Sequence, residues 1–145
     1  MNRKTKPETE KTQKAIRKPL PKLFIARSKL HGLGVFAGED IEWGRRIIDF
    51  EGQYISKKEV ARRWRYYKSV GYFCLLEFGD GSGIDGMVGG NESRFINHSE
   101  KPNVAAIRED RRIVFYSLDD IAKNEELTFD YGFDPRSRTT ARPLL

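Results

Sequence analysis

At 145 residues the chain has room for one domain with a real core and is too short for two ordinary ones, which excludes most multidomain enzymes. Hydrophobic residues make up 38% and charged residues 33%, and no apolar run approaches the ~20 residues that span a bilayer, so a soluble, cytoplasmic protein with no membrane partner is expected. Net charge is +6, and all of it sits in residues 1–22, where eight Lys or Arg face only Glu8 and Glu10.

The lysine-rich N-terminus has no apolar stretch behind it to act as a secretory signal, and residues 1–22 read as a basic, disordered tail. The remainder of the chain is neutral but unevenly so. Residues 57–68 (KKEVARRWRYYK) hold six positive and one negative side chain, and residues 133–145 hold three and one, which leaves an acidic body. An acidic body suits a cationic partner better than a polyanion. Cys74 is the only cysteine, and His31 and His98 are the only histidines; an intrachain disulfide is excluded, and no metal site is expected.

From Leu23 onward, short apolar or β-branched runs alternate with Gly, Asp and Ser. Residues 22–28 (KLFIARS), 31–37 (HGLGVFA), 45–56 (RRIIDFEGQYIS) and 72–78 (YFCLLEF) each read as a strand. Between the last two, Ser56 and Glu59 form a capping box; Val60, Trp64 and Tyr67 recur at i, i+4 and i+7, and Gly71 is placed to end a helix. Residues 103–118 read as a hairpin reversing around residues 108–111, and residues 117–121 as a further helical turn. The expected class is mostly β, with small sheets and one principal helix.

Three segments carry chemistry. In His31-Gly32-Leu33-Gly34-Val35-Phe36, paired glycines allow close backbone approach to a ligand and offer unencumbered N–H and C=O groups; the third glycine of a dinucleotide fingerprint is missing, and a tight turn between strands fits as well. Residues 90–99 (GNESRFINHS), followed by Pro102-Asn103, crowd polar side chains around Phe95 and Ile96, which suits either a site or a loop-fixing network. In residues 125–132 (EELTFDYG), alternation puts Leu127, Phe129 and Tyr131 on one side and Thr128 and Asp130 on the other, as in an aromatic core strand.

In this order and spacing, the three segments resemble the SET-domain family of protein-lysine methyltransferases, from about Leu23 to Phe133, with Ile84-Asp85 and a Tyr72-Phe73 strand also similar. The resemblance implies a β-clip (SET) fold over residues 23–133. Several small curved sheets are expected, with a knot-like crossing of the Asn97-His98 segment and the strand ending at Tyr131. It implies S-adenosylmethionine as cofactor on one face and a lysine channel opening on the other. Gly32, Leu33 and Gly34 would contact the cofactor's methionine portion, and Arg94, Asn97 and His98 its carboxylate, amine and adenine. Tyr131 would be the active-site tyrosine, with Tyr72 on the opposite wall touching both cofactor and lysine. Tyr72, Phe129 and Phe133 would line the channel, with residues 134–145 completing it, or else a second copy in a homodimer. Phe129 in place of Tyr leaves room for an amine that already carries a methyl, which implies capacity beyond monomethylation.

The sequence departs from the family pattern at Leu33, where an aromatic is common, and at Asn124, where glycine is usual; Asn is the next-best residue for a left-handed turn. The cysteine clusters that bind zinc in larger relatives have no counterpart here. The expected function is methyl transfer to the lysine of a basic, histone-like or other protein by a monomer or homodimer, at chromatin if the source is eukaryotic. The alternatives are a degenerate module that binds basic proteins, and a small nucleic-acid binder that uses the tail and the helix bearing Arg62, Arg63, Arg65 and Lys68. For that helix, amphipathic packing with a solvated cationic face is the favoured reading.

Overall fold

Four small sheets and one long helix account for residues 18–132, the part of the chain described by the structure, a computed structural model. Strands β1 (Leu23–Arg27) and β2 (Leu33–Ala37) pair antiparallel, with Phe24 stacked on Phe36 at 5.5 Å. Strands β3 (Arg46–Asp49), β8 (Val104–Glu109) and β9 (Arg112–Ser117) form a sheet in the order β3-β9-β8. Strands β4 (Gln53–Ile55), β5 (Leu75–Glu77) and β6 (Gly83–Asp85) form another, with β6 central. The fourth is a two-residue parallel pairing of β7 (Asn97–His98) with β10 (Thr128–Phe129). It joins the two polar motifs, where the crossing was expected.

The hairpin forms as its sequence suggests, with Glu109 opposite Arg112 and Asp110 taking φ 57° at the reversal. Asn124 adopts φ 73°, so it does the work of the glycine usual in the family. Residues 45–56 make two strands and not one. The first half pairs with β9 and the second with β6, so the chain turns between Asp49 and Gln53 to reach a different neighbour. A register shift between Arg46 and Ile48 in β3 lets the consecutive Ile47 and Ile48 both be buried, which strict alternation forbids.

Two further expectations fail for one reason, namely that the backbone groups involved are committed elsewhere. Residues 117–121 are not helical. The Leu118 amide donates to the Asn103 carbonyl, Ile121 bridges Ile41, and Asp120 accepts from the Trp43 amide, which leaves no local i to i+4 ladder. Tyr72 and Phe73 are not in a strand either. The Tyr72 amide donates to the Tyr67 carbonyl and closes the preceding helix, so β5 begins only at Leu75.

Helix α1 (Lys57–Val70) follows its sequence signals. The Ser56 hydroxyl accepts from the Glu59 amide at 3.4 Å, and Gly71 ends the helix at φ 79°. Glu59 does not complete the reciprocal half of a capping box, because its carboxylate is held by Arg62 and Arg63. Val60 and Trp64 are buried with Ile55 and Leu75, and Phe73 packs against both this cluster and the main core. The helix is also tied by charge. Fully buried Asp85 on β6 accepts from Arg63 at 2.9 Å, from the Tyr67 hydroxyl at 2.6 Å and from the Met87 amide at 2.9 Å.

Every oxygen of this buried carboxylate is thus engaged, the condition under which a buried ion is tolerated. Asp85→Ala takes the acceptor from the Tyr67 hydroxyl and the Met87 amide and leaves Arg63 only Glu59 and Gln53, and is expected to cost about 3 kcal/mol. Denaturant unfolding should show a lowered midpoint at unchanged slope.

Candidate active site

The β7–β10 pairing sets Asn97 and His98 beside the strand that leads to Tyr131. The Asn97 carboxamide nitrogen, largely buried, donates toward the main-chain carbonyls of His31 (3.1 Å) and Leu33 (3.0 Å) and toward Glu126 Oε1 (2.9 Å). One amide therefore staples the glycine turn to the C-terminal motif across more than 60 residues of sequence. The other oxygen of Glu126 accepts from the Ser28 hydroxyl at 2.9 Å, which fixes the other side of the same turn. The carbonyls of this turn are consequently engaged and not free as expected: those of His31 and Leu33 go to Asn97 and that of Gly32 to the Ser28 amide.

The two glycines are needed for different reasons. Gly32 has open space around it but a φ of +46°, where a side chain is strained. Gly34 has an ordinary φ, but a Cβ there would lie 2.2 Å from Glu126 Oε1. Its absence makes the seat for that carboxylate.

His98 Nδ1 accepts from the Tyr131 amide at 3.1 Å, which leaves Nε2 as the ring's other polar atom; the two rings lie 5.1 Å apart. Tyr131 is buried, its ring 4.7 Å from Phe129, and its hydroxyl donates to the Ile96 carbonyl at 2.8 Å. Burial, with Cys74 and Glu126 nearby, pushes the phenol well above its ordinary pKa of 10.0. It stays protonated at neutral pH. Burial, reinforced by the Asp85 charge, likewise pushes the Cys74 thiol up to about 12.

Beside these groups lies a cleft of about 710 Å³. Its walls include Leu30 and His31 from the turn, Phe73 from the segment after α1, Asn97 and His98 from β7, and Tyr131. Its size falls within the ~300–1,000 Å³ of small-molecule sites, and its mixture of apolar and hydrogen-bonding walls suits a ligand with both apolar and polar parts.

Of the residues expected at the site, Asn97, His98 and Tyr131 meet on this cleft. Gly32, Leu33 and Gly34 do not line this cleft: Gly32 and Leu33 are exposed, with their carbonyls on Ser28 and Asn97, and Gly34 packs on Glu126, while Leu30 and His31 form the wall. Tyr72 is 51% exposed and off the cleft wall, and its neighbour Phe73 lines it instead. Arg94 is also off the wall, its guanidinium over the Phe95 ring at 4.8 Å. Phe129 is a core residue, edge-on to Phe115 at 5.0 Å, and reaches the site through the Tyr131 ring. Phe133, together with residues 1–17 and 134–145, lies outside the described residues.

A protein-family model described as SET domain matches residues 32–132. The chain belongs to the SET-domain family. This SET domain is 40% identical over 125 residues to a Neurospora crassa protein named histone-lysine N-methyltransferase, H3 lysine-4 specific, covering 81% of this chain and 9% of that one. It is 38% identical over 114 residues to histone-lysine N-methyltransferase trithorax of Drosophila virilis, covering 75% of this chain and 3% of the relative. Among solved structures, an active polycomb repressive complex 2 in the basal state superposes with a TM-score of 0.72 at 31% identity, over 89% of this chain and 18% of that chain. The complex ctPRC2 in an autoinhibited conformation bound to S-adenosylmethionine gives 0.70 at 32%, over 78% and 15%. The chain thus spans less than a tenth of the two curated relatives and less than a fifth of the two solved chains.

Sequence reading missed Glu126, Ser28, Leu30 and Phe73. Glu126 carried a signal, as a charge next to an otherwise apolar strand, but its seat exists only because Gly34 lacks a Cβ.

Gly34→Ala should push the Glu126 carboxylate off Asn97 and Ser28, destabilising the domain by roughly 1–3 kcal/mol. In a Glu126→Ala background the same change should cost little, so a double-mutant cycle should return a coupling of most of that amount. Cys74 should resist iodoacetamide at pH 8 in the folded protein and react once unfolded. Because its folded pKa is raised from 9.0 to about 12, its contribution to stability should be complete below pH 9 and fall as pH climbs through that window.

Proposed function

We propose that the domain is an S-adenosylmethionine-dependent protein-lysine N-methyltransferase. The observation that carries this reading is the convergence of Asn97, His98 and Tyr131 on one cleft behind the His31–Gly34 turn. The names of the relatives and the S-adenosylmethionine in a similar solved structure support it.

Asn97, His98, Tyr131 and the turn at Gly32, Leu33 and Gly34 would hold the cofactor, with Phe73 and Leu30 supplying apolar wall. Bound there, S-adenosylmethionine supplies an activated methyl group on a cationic sulfur. The substrate lysine must arrive as a neutral amine, although its ordinary pKa is about 10.4. Aromatic surroundings such as Phe73 and Tyr131 lower that value by disfavouring the charged form. Tyr131 is not the base, since burial keeps its own proton on. With that proton donated to Ile96, the phenol oxygen offers lone pairs that can accept an amine N–H and aim the nitrogen, where orientation is worth several kcal/mol.

The substrate class we favour is a basic protein segment, as the acidic balance outside α1 and the histone-directed relatives suggest. A histone substrate would put the reaction at chromatin, and nothing in the comparisons supports the cytoplasmic placement expected from composition. Phe129, lacking a hydroxyl beside Tyr131, supports capacity beyond monomethylation.

Calorimetry should show S-adenosylmethionine binding, and labelled methyl should pass to a mixture of basic proteins. Tyr131→Phe should keep cofactor affinity within a few-fold yet lower transfer about 10²-fold, the scale of a mispositioned reactant; equal labelling by both proteins removes Tyr131 from the role given to it. Phe129→Tyr should shift the products toward monomethyl-lysine in the mass spectrum of a peptide substrate.

A further inference from the structure

Packing sorts the charges of helix α1. Val60 and Trp64 are buried, and Arg63 is held between Glu59 and Asp85. On the outward side, Lys58, Arg62 and Arg65 follow at spacings of four and three, the spacing of a single helical face, and with Ala61, Tyr66 and Ser69 they line a shallow groove. Glu59, the one acidic residue of the helix, is shared between Arg62 and Arg63. Lys58 and Arg65 have no acidic partner among the described residues.

Tyr66 is 62% exposed, its ring leaning on Tyr67 at 5.9 Å. Outside the helix, residues 18–132 carry twelve Lys or Arg against seventeen Asp or Glu, so α1 is the cationic pole of an otherwise acidic domain. Three like charges within roughly 10 Å of helix repel one another, and the fold supplies a single carboxylate against them.

We infer that this outward face of α1 binds duplex nucleic acid through its phosphates. Duplex DNA presents a negative charge about every 1.7 Å along its axis, a density that a linear cationic stripe can follow and that an isolated carboxylate cannot supply. Arg65, with no acidic partner among the described residues, has a planar fork that can bridge phosphate oxygens, and Arg62, whose Nε and Nη2 are on Glu59, adds its remaining N–H groups. The groove is shallow and open, so an acidic protein segment would find no enclosed pocket for its own side chains. The acidic body would meanwhile remain turned to a cationic substrate. Nucleic-acid binding is read without methyl transfer, so the inference does not depend on the catalytic reading.

The test uses the full chain and a fluorescent mixed-sequence duplex of about 20 base pairs, followed by anisotropy across a salt titration. Two charge-matched variants are compared, Lys58→Gln/Arg62→Gln/Arg65→Gln on the helix and Lys4→Gln/Lys6→Gln/Lys11→Gln near the N-terminus. Lys68 is left alone because it lines the cleft. The helix variant should bind at least about 10-fold more weakly, with the slope of log K against log salt reduced by about 2 to 3, and the N-terminal variant should change by less than about 3-fold. Arg65→Gln alone, at an exposed position, should reduce the slope by about 1 and guards against misfolding of the triple variant. Unchanged binding by the helix variant, or an equal loss in the N-terminal variant, overturns the inference. So does preference of the full chain for a poly-glutamate peptide over the duplex, which would make an acidic protein the partner of this face.

Discussion

The hydrogen bonds of a single side-chain amide hold the candidate site together. Asn97 reaches two carbonyls of the glycine turn and the carboxylate of Glu126, and so joins segments from the first third, the middle and the last part of the described chain. Local structure shapes the turn but does not set the three segments against one another. The turn is a short link between β1 and β2, β7 and β10 are two residues each, and the strand leading to Tyr131 pairs in parallel with a partner about thirty positions away. Hydrogen bonds in a site mostly shielded from water are worth having only when every partner is present, and a half-made network costs more than an apolar one. Ser28, Gly34 and Glu126 complete the set.

Around that network the chemistry is assigned by burial. Tyr131 and Cys74 are both forced to stay neutral, so neither offers a base or a nucleophile at neutral pH. A site so furnished can position a reactant, but it draws no base or nucleophile from these two groups. It is suited to a reaction whose driving force arrives with the ligand, and the proposed methyl transfer is of that kind. Asp85, although equally buried, is held by Arg63, Tyr67 and the Met87 amide and serves to dock the helix that brings Phe73 to the cleft.

Much of this was legible in the residues themselves. The helix announced its start at Ser56, its buried stripe at Val60 and Trp64 and its end at Gly71, because each of those signals is local. The hairpin at Asp110 and the inward set Leu127, Phe129 and Tyr131 were legible for the same reason. What escaped was set by distant partners. The break after Asp49 depends on β6, the extended path of residues 117–121 depends on Ile41 and Asn103, and the burial of Thr128 follows from its pairing with Asn97. At the site, motif resemblance singled out Asn97, His98 and Tyr131, and the fold brings these three to one cleft. Which of Tyr72 and Phe73 faces the cleft is not written in their own sequence, since it is decided by how α1 ends. Glu126 was hidden because its role is written in an absent methyl at Gly34.

The β7–β10 pairing has a temporal consequence. As the chain emerges from a ribosome, the residues of β1 to β9 and α1 are all made while Asn97 still lacks its carboxylate partner and His98 the amide it receives. The cleft can be finished only after Glu126 and Tyr131 have been made, so the candidate site is completed late. An interrupted translation product would therefore lack the assembled centre together with the share of the main core that Ile121, Leu127 and Phe129 supply.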